Sequence, residues 1–364
     1  MGSNKILHFQ ASNVPRSKDL YAAEYMMQNS VEVDVCKHSK NEVLKAITKP
    51  FMSFFLNLPD AISNCRDYNL YDVLFSLSDY DAFAPELFRR IIHSRTPHVA
   101  ISYGLTNLLL ASPRARHLKK LSRLDRLYKH LLNEITFILF YSRHQMLFLQ
   151  RVLGIPASRT RFIRLCVDTD YFTPQHGTDD YVLSVGRDQG RDYHTLLHAF
   201  KNIDGQLQIV SGQSNLQGEE ALRNVRATIE IPYASLRNMY RCAKFIVLPV
   251  RNYQSLSGQT VLLESFAMGK AVIATKCWGT EDYIVDGKTG FFVPAGDEVE
   301  LRKNIQYLLE EPEVAESVGK RARPFVEREC GLETHSKNLF TLLKEACRIH
   351  DELEVHQLKP PERV

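Results

Sequence analysis

The segment from Ser257 to Thr275 contains residue types that could bind a phosphate group and a neighbouring diol. Ser257 and Gly258 are small, and the apolar residues after them have helical spacing, so we predict that a loop passes into a helix here, with Thr260 as a cap. The unpaired N–H groups and the positive dipole end of such a helix start favour an anion. Glu264 lies one turn further on, where its carboxylate could accept hydrogen bonds from two hydroxyls.

The same segment predicts the elements that would hold these groups. Gly269 is placed to end the helix, and Val272 to Ala274 is an apolar run typical of a parallel strand buried on both faces. On these residues alone, an ordinary α/β crossover with an exposed Glu264 explains the pattern equally well. Anion sites at helix starts are common, and a fold does not determine a function.

With its continuation from Trp278 to Asp297, the segment resembles the donor-binding segment of retaining glycosyltransferases of family 4. The resemblance covers residues 160–300 well and the rest weakly. It implies an α/β fold of two Rossmann-like domains facing across a cleft, the GT-B type. It also implies that a nucleotide-sugar donor is bound by a set of residues along this half of the chain: Gly186, Tyr233, Gln254, Ser257, Gly258, Gln259, Thr260, Val261 and Glu264.

A second cluster begins after a predicted strand, where Gly186 turns the chain toward Arg187 and Arg191. It is similar to the Gly-Arg…Lys loop of the same family, with Arg191 in place of lysine. A guanidinium can hold two phosphate oxygens and compensate the charge that develops on a departing nucleoside diphosphate. The alternative is that Arg187 pairs with Asp188 or Asp192 in a surface loop.

One position departs from the family where the donor sugar would lie. The family usually has a second glutamate facing that sugar, at the position that Leu256 takes here. Leucine cannot accept a hydrogen bond from a sugar hydroxyl, although Gln254, Ser255 or Gln259 could replace the missing carboxylate. This departure leaves the donor sugar open and favours, as one alternative, a catalytically inactive nucleotide-binding partner of a glycosyltransferase.

The N-terminal half begins with predicted strands at Lys5 to Phe9 and Val31 to Val35, as a Rossmann-like domain would. Asp79 and Tyr103 each follow a later predicted strand, where open α/β sheets place ligands, and Gly104 could give an acceptor access to the backbone. These three residues are the acceptor-side candidates. The family often has a histidine near the Tyr103 position, which is a second departure.

Two Asp-x-Asp sequences, at Asp79 to Asp81 and Asp168 to Asp170, look like the metal motif of the other glycosyltransferase fold. Two carboxylates this close are frequent in turns and helix caps, which is the interpretation we favour. The cationic loop also leaves little need for a divalent ion. We therefore expect no metal and no cofactor, since the nucleotide sugar is a substrate.

The run from Arg114 to Leu132 is a basic amphipathic helix, with leucines on one face and cations on the other. It could be a core-packed helix with a solvated basic face, or it could contact the headgroups of an anionic membrane. The formal net charge of +4 fits both interpretations. Nucleic-acid binding is a poorer explanation, because no recognition module accompanies the basic face.

Length and composition set the outer limits. The chain has 364 residues, enough for two domains, with 44% hydrophobic and 24% charged residues. No window approaches the roughly 18 apolar residues of a transmembrane helix, and the polar start is unlike a secretory signal. The seven cysteines are odd in number and scattered, as free thiols in a reducing compartment would be. We expect a cytoplasmic protein, with the inner face of the membrane as the alternative location.

The predicted domain organisation has four parts. They are an N-terminal acceptor-binding Rossmann-like domain at 1–172, a hinge at 173–180, a C-terminal nucleotide-sugar-binding Rossmann-like domain at 181–335, and a C-terminal helix at 336–364 that returns toward the N-terminal domain.

The resemblance thus implies a retaining, metal-independent glycosyltransferase of the hexosyltransferase type. It would move a sugar from a nucleotide donor, with a UDP-sugar expected, to a hydroxyl of a glycan, lipid-linked or small-molecule acceptor. Arg187, Arg191 and Glu264 are the expected catalytic residues. A nucleotide-sugar epimerase of the same fold stays open beside the inactive partner. No Gly-x-Gly-x-x-Gly follows a predicted strand, which argues against a dehydrogenase.

Overall fold

The computed structural model describes residues 4–9, 31–35, 58–102, 123–175, 177, 180–216, 218, 222–229 and 231–358. The chain divides into two compact units, one formed by Met1–Ile163 with His335–Val364 and the other by Arg164–Thr334. The described part of each unit contains one parallel sheet. The predicted ranges for the domains and the hinge stay predictions.

The first sheet has the strand order β2-β1-β3-β4-β5-β6. Its strands are β1 Asn4–Phe9, β2 Val31–Val35, β3 Val73–Ser76, β4 His98–Ser102, β5 Phe137–Phe140 and β6 Thr160–Phe162. The order reverses at β1, so the switch point of this sheet lies between β1 and β3. The predicted strands at Val31 to Val35 and at His98 to Ser102 are confirmed, whereas sequence reasoning missed the short edge strand β6.

The second sheet has the order β12-β11-β10-β7-β8-β9. Its strands are β7 Tyr181–Gly186, β8 Leu207–Ser211, β9 Val225–Ile229, β10 Ala243–Leu248, β11 Val272–Thr275 and β12 Phe291–Val293. Counted within the unit and taken from β9, this is the order 3-2-1-4-5-6 of dinucleotide-binding folds. The apolar residues of the sequence predict this edge strand at Thr228 to Ile231, whereas β9 begins at Val225 and ends at Ile229. Most of this edge strand is exposed, so its apolar pattern is weak.

Helices connect the strands of both sheets. Their bounds are α1 Leu58–Asn64, α2 Asp79–Ile91, α3 Arg123–Glu134, α4 Arg143–Leu153, α5 Tyr193–Phe200, α6 Tyr233–Cys242, α7 Gln259–Ala267, α8 Glu298–Glu310, α9 Pro312–Cys330 and α10 Leu332–Leu358. Within the described ranges no helix is both long and apolar enough to cross a bilayer.

Helices cover both faces of the second sheet. All six residues of β7 are buried, and successive residues point to opposite faces. Leu183 and Val185 belong to one apolar cluster, which contains the buried residues of α7, whereas Val182 belongs to the cluster that contains Phe200 of α5 and Ile305 of α8. Continuous apolar runs are what a parallel sheet covered on both faces requires, which is why these strands could be predicted from sequence.

The first unit buries a chain of polar groups at the start of β4. His98 Nδ1 donates to Glu86 Oε2 at 3.0 Å, and its Nε2 lies 3.0 Å from the hydroxyl of Ser76. Arg89 donates to both Glu86 oxygens, at 2.7 and 3.0 Å. Ser76, Glu86 and His98 are fully buried, so this arrangement, although similar to a catalytic triad, serves the core.

The protonation states of His98 and Glu86 follow from their surroundings. Burial lowers the pKa of His98 more than the neighbouring Glu86 carboxylate raises it. Burial alone would raise the pKa of Glu86, but the hydrogen bonds from His98 and Arg89 outweigh it and hold that pKa below its usual range. A neutral His98 that donates through Nδ1 and accepts the Ser76 hydroxyl at Nε2 satisfies every partner.

We therefore expect acid to destabilise the protein before its carboxylates titrate. The unfolded chain binds a proton on His98 near pH 6.5, but the folded chain does not, so stability is lost as the pH falls below about 6.5. The loss is at most about 1.4 kcal/mol per pH unit for one group. Urea unfolding at several pH values between about 7.5 and 5 measures this slope.

The matched variants are His98→Gln, whose amide can replace both ring hydrogen bonds, and His198→Gln, which changes an exposed histidine. His98→Gln should flatten the dependence on pH in this window, whereas His198→Gln should leave it unchanged. An unaltered slope in His98→Gln would contradict the assignment of a neutral, buried His98.

Candidate functional site

The predicted donor residues meet at the carboxyl edge of the second sheet. Strands β7 and β10 are neighbours, and the order of the sheet reverses between them. The loop after β7 contains Arg187 and Arg191, and the loop after β10 leads to Gly258 at the start of α7. Open α/β sheets bind ligands at this switch point. The topology therefore brings together two loops that lie far apart in sequence.

The start of α7 has the form of an anion site. Its N-cap is Gly258, with φ 98° and ψ −12°, and no side chain caps the helix. The first bond of the helix runs from the Leu262 N–H to the Gly258 carbonyl, so the N–H groups of the turn before Leu262 point out of the helix end. Thr260 lies inside the helix, so the prediction that it caps α7 was wrong. Gly269 follows the C-cap Met268 as predicted.

Arg191 joins the end of β7 to this helix start. Only 3% of it is exposed. A Cβ on Gly186 would lie 1.9 Å from Arg191 Nε, and one on Gly258 would lie 3.1 Å from Arg191 Nη1, so both positions need glycine to admit the guanidinium. Within the described part of the chain, Nη1 is buried without a hydrogen-bond partner, while buried Nε has the ion pair with Asp188 Oδ2 at 3.1 Å. A buried cation with an unfilled donor beside a helix start is a favourable site for an anion.

The backbone of the arginine loop is fixed to the loop after β10. Arg251 donates from its backbone N–H to the Gly190 carbonyl at 2.9 Å and from Nε to the Arg191 carbonyl at 2.8 Å. The Asp192 N–H donates to the Pro249 carbonyl. These bonds hold Arg191 in place without using its Nη groups.

Asp188 also holds the two loops together. Its Oδ1 accepts from the Ser257 hydroxyl at 2.6 Å and from the Gly190 N–H at 3.0 Å, while its Oδ2 lies 3.1 Å from Arg191 Nε. The sequence predicts Asp188 only as a partner of Arg187. Its pairing with Arg191 could not be predicted, because that pairing depends on how the loop folds over Ser257.

Arg187 begins the same loop, and its side chain is exposed. Its Cβ and carbonyl oxygen lie beside Gly212. The contacts described above between this loop and the start of α7 are made by Asp188 and Arg191. The role of Arg187 as a second cation stays a prediction.

Glu264 is buried inside α7, about 9 Å along the helix from Gly258. Only 2% of it is exposed. Tyr233 donates its hydroxyl to Oε1 at 2.8 Å, and Tyr240 donates to Oε2 at 2.9 Å. Burial and the Glu264 charge together raise the pKa of both tyrosines, so both hydroxyls keep their protons and act as donors.

The two tyrosines lie on one face of α6, two turns apart. The sequence predicts a helix that begins at Leu236 with Pro232 to Ser235 as its cap, which hides this relation, whereas α6 begins at Tyr233. Lys270, which follows α7, donates to the carbonyls of Arg241 and Ala243 at 2.8 and 2.7 Å. This side chain joins the ends of α6 and α7 and so fixes the tyrosines relative to Glu264.

The loop expected at the donor sugar is also defined. Leu256 is 6% exposed, so its side chain points into the protein interior. Its backbone packs on Gly279, where a Cβ would lie 2.9 Å from the Leu256 carbonyl carbon. Gln254 is exposed, whereas Gln259 is buried at the first position of α7. The three candidates to replace the missing glutamate therefore differ in access, and Gln254 is the most open.

The acceptor-side candidates lie in the first unit. Asp79 is buried at the start of α2 and accepts from the Ser102 hydroxyl at 2.8 Å. Gln145 Nε2 donates to the Ser102 carbonyl at 3.0 Å. Tyr103 and Gly104 lie outside the described residues. Asp79 thus lies just after β3, next to the switch point of the first sheet. With Ser102 at the end of β4 and Gln145, it forms a polar cluster.

The Asp-x-Asp sequences have structural roles. Asp168 Oδ1 accepts from the N–H groups of Asp170 and Tyr171, at 3.0 and 2.8 Å, and so forms a turn. Asp81 accepts from the Ser78 hydroxyl in the N-cap of α2. Among the described residues, no group of three or more His, Cys, Asp and Glu side chains could hold a metal ion. The expectation of a metal-free reaction stays a prediction.

Comparison with known structures defines the class of fold. The sucrose-phosphate synthase of Thermosynechococcus elongatus matches with a TM-score of 0.73 at 18% identity, over 94% of this chain and 98% of that chain. HepE of Anabaena, in complex with UDP-glucose, matches with a TM-score of 0.70 at 15% identity, over 94% and 99%. A glycosyltransferase of Rickettsia africae ESF-5 gives 0.70 at 16% identity, over 95% and 99%. The protein has the GT-B fold of two Rossmann-like domains.

A family model agrees with this class. Residues 179–311 match the model described as glycosyl transferases group 1. This range contains Arg187, Arg191, Gly258 and Glu264. No curated protein matches the chain in sequence.

We expect Gly258→Ala to damage the site beyond its cost in stability. Alanine at φ 98° is strained by about 1–2 kcal/mol, and its Cβ would lie 2.9 Å from Leu248 Cδ2 and 3.1 Å from Arg191 Nη1. Gly296 has a similar φ of 75° with nothing within 4 Å, so Gly296→Ala is the matched control. Both variants should lose the stability that the positive φ costs, Gly258→Ala should lose more because of the contact with Leu248, and only Gly258→Ala should weaken the binding of UDP in calorimetry. Equal affinity in the two variants would show that Gly258 makes no room for Arg191.

Proposed function

We propose that the protein is a retaining glycosyltransferase that uses a nucleotide-sugar donor, with a UDP-sugar as the expected substrate. One observation supports this most: the buried Arg191 guanidinium lies at the uncapped start of α7, and the same helix buries Glu264 further along. An anion site and a carboxylate on one helix, at the switch point of a Rossmann-like sheet, suit the diphosphate and ribose of a nucleotide.

The proposed reaction breaks the bond between the sugar and the diphosphate. Arg191 and the N–H groups at the start of α7 stabilise the negative charge that develops on the leaving phosphate. The acceptor hydroxyl attacks from the face that the phosphate leaves, and its proton passes to a phosphate oxygen. The new glycosidic bond then keeps the configuration of the donor. A hexosyl donor is the expected case.

Two features favour a reaction without a metal ion. The charge that a divalent cation would neutralise lies, in this proposal, beside the guanidinium of Arg191, a permanent cation. The uncapped helix start adds further positive potential. Metal independence is therefore part of the proposal, and full activity in the presence of EDTA is its test.

The choice of uracil as the base rests on structural neighbours that were determined with UDP compounds. HepE of Anabaena was determined with UDP-glucose and with UDP, and it shares the fold of this chain. The base would lie beyond Glu264, near Tyr233, which is the exposed residue at the start of α6. The acceptor is proposed to be a hydroxyl of a glycan, a lipid-linked molecule or a small molecule, with Asp79, Tyr103 and Gly104 on its side.

We extend the proposal to peripheral contact with an anionic membrane through the basic run from Arg114 to Leu132, with the cytoplasm as the expected compartment. The structure describes this run from Arg123 onward, where Arg126 and His130 are exposed. Leu131 and Leu132 are buried in the core of the first unit, so at this end of the run, within the described residues, the cationic face is the one available to lipid. Such contact would be electrostatic and would weaken with salt.

Co-sedimentation with vesicles tests the membrane proposal. We expect binding to anionic vesicles that disappears at high salt and is reduced when Lys119 and Lys120 are both replaced by glutamate. Vesicles of neutral lipid are the control. No binding to anionic vesicles at low salt would exclude the membrane contact and leave the solvated basic face.

The donor chemistry is tested by titration and turnover. UDP and UDP-glucose should bind in calorimetry, and NMR should show either slow donor hydrolysis or transfer with retention when an acceptor is supplied. Binding without hydrolysis or transfer would support the inactive partner, and conversion of the donor into an isomeric nucleotide sugar would support the epimerase. No response to any nucleoside diphosphate would refute nucleotide binding altogether.

Replacement of Arg191 should weaken nucleotide binding. Charge-assisted hydrogen bonds contribute about 1.5–3 kcal/mol, so we expect Arg191→Ala to bind UDP about tenfold to hundredfold more weakly. Arg191→Lys keeps the charge but loses the fork and should lose less. Arg226→Ala, on the exposed edge strand β9, is the control and should bind UDP as the unaltered protein does. Unchanged affinity in a folded Arg191→Ala would remove this residue from the donor site.

A further inference from the structure

The two tyrosines on Glu264 differ in one respect that bears on ligand binding. Tyr240 is fully buried, whereas 44% of Tyr233 is exposed. Both donate to Glu264, one to each carboxylate oxygen. The Tyr240 hydroxyl can leave Oε2 only if the core opens. The Tyr233 hydroxyl can leave Oε1 by a rotation of an exposed side chain.

The ring of Tyr233 has a built position. It stacks on the ring of Tyr171, with centroids 5.5 Å apart and planes 8° apart, and it meets the edge of Phe172 at 5.5 Å. The Arg237 guanidinium lies over the ring of Tyr171, 4.6 Å from its centroid, and donates to the Tyr171 carbonyl. The aromatic support beneath Tyr233 is therefore held independently of its hydroxyl.

Arg323 fixes the backbone of this support. Its guanidinium donates to the carbonyls of Phe172 and Thr169, at 2.6 and 2.9 Å. The same side chain donates to the Ala267 carbonyl at the end of α7. The segment that contains Tyr171 and the helix that contains Glu264 thus share one guanidinium, which keeps their spacing constant when a ligand enters.

A buried carboxylate needs hydrogen-bond donors at all times. Leaving Glu264 Oε1 without the donor that it now has would cost the desolvation of a charged oxygen. A ribose hydroxyl is a neutral donor of the same kind as a phenol. One can therefore replace the other on Oε1 with little net change in hydrogen bonding.

We propose that Tyr233 is a placeholder, whose hydroxyl occupies on Glu264 the position that a ribose hydroxyl takes when the nucleotide binds. This inference rests on the proposed function and adds to it a residue that sets both affinity and the preference for ribose. Binding exchanges the Tyr233 hydroxyl for a ribose hydroxyl, and the ring then becomes available to pack against the nucleoside. The bond from Tyr233 to Oε1 is broken when the bond from the ribose forms, so the ribose bond adds little net affinity.

The proposal predicts an unusual direction for a conservative change. Tyr233→Phe keeps the ring on Tyr171 but removes the competing hydroxyl, so UDP should bind about threefold to tenfold more tightly, the range of one net hydrogen bond. The preference for UDP over its 2′-deoxy or 3′-deoxy form should rise by a similar factor. With the hydroxyl gone, a ribose hydroxyl replaces the donor that Oε1 has lost and displaces no bond from Tyr233.

Two control variants separate this role from simple support of Glu264. Tyr307→Phe removes a hydroxyl from a tyrosine that is also 44% exposed, on α8, and should leave UDP affinity unchanged. Tyr240→Phe removes the donor that never leaves, and should weaken UDP binding or leave it the same. Titration calorimetry with UDP and the two deoxy forms measures all four proteins.

Each result decides between the roles. Tighter UDP binding and a larger ribose preference in Tyr233→Phe support the placeholder. Equal or weaker UDP binding in a folded Tyr233→Phe overturns it, while the nucleotide site stands if the unaltered protein binds UDP. If the unaltered protein binds no nucleoside diphosphate, the proposed function fails and the placeholder fails with it.

Discussion

The burial of the Arg191 guanidinium is the constraint on which the second unit depends. A buried cation must be compensated, and here the compensation comes from Asp188 on one side, while Nη1 faces the start of α7. This placement explains why a glycine stands at Gly186 and another at Gly258, since any Cβ at either position would meet the guanidinium. The left-handed Gly258 then leaves the start of α7 uncapped. The buried charge of Arg191, the backbone conformation of Gly258 and the uncapped start of α7 therefore depend on one another.

Two buried charges differ in how far the protein satisfies them. In the first unit, Glu86 is matched by Arg89 and His98. In the second unit, Arg191 has Asp188 at Nε, but its Nη1 is buried without a hydrogen-bond partner among the described residues. A satisfied network rigidifies a core, whereas a buried unfilled donor has a cost that an incoming anion would relieve. Because this donor lies at the uncapped start of α7, the difference favours that helix start as an anion site.

Sequence reasoning succeeded where the determinant is local. The strand Phe291–Val293 follows from an apolar run between turn residues, and Gly269 follows from the need for a left-handed residue after α7. It failed where the partner is distant in sequence. Nothing near Tyr240 in the sequence indicates its carboxylate partner, Glu264, which lies in a different helix. With the helix started at Tyr233, the spacing of the two tyrosines on one face would have been the available clue.

The pairing of Asp188 with Ser257 shows the same limit for loops. Both residues lie in segments that the sequence analysis singled out, but the bond between them requires β7 and β10 to be neighbours, which only the topology gives. Resemblance supplied the positions of Arg191 and Glu264, and it could do so because both belong to recurring loop and helix patterns. The polar groups that hold those two residues in place belong to this chain, and they became visible only with the fold.

Leu256 connects these observations to specificity. The residues proposed to bind the nucleotide, Gly258, Arg191 and Glu264, are a backbone turn and two buried side chains. The loop proposed to face the donor sugar runs from Tyr253 to Ser257, where Gln254 is exposed and Leu256 fills the interior. An inward leucine contributes to the core, so under this proposal the sugar would be selected by its exposed neighbours on the loop. Substitutions of exposed residues usually change stability little, so this loop can vary with less effect on the fold than the start of α7 can.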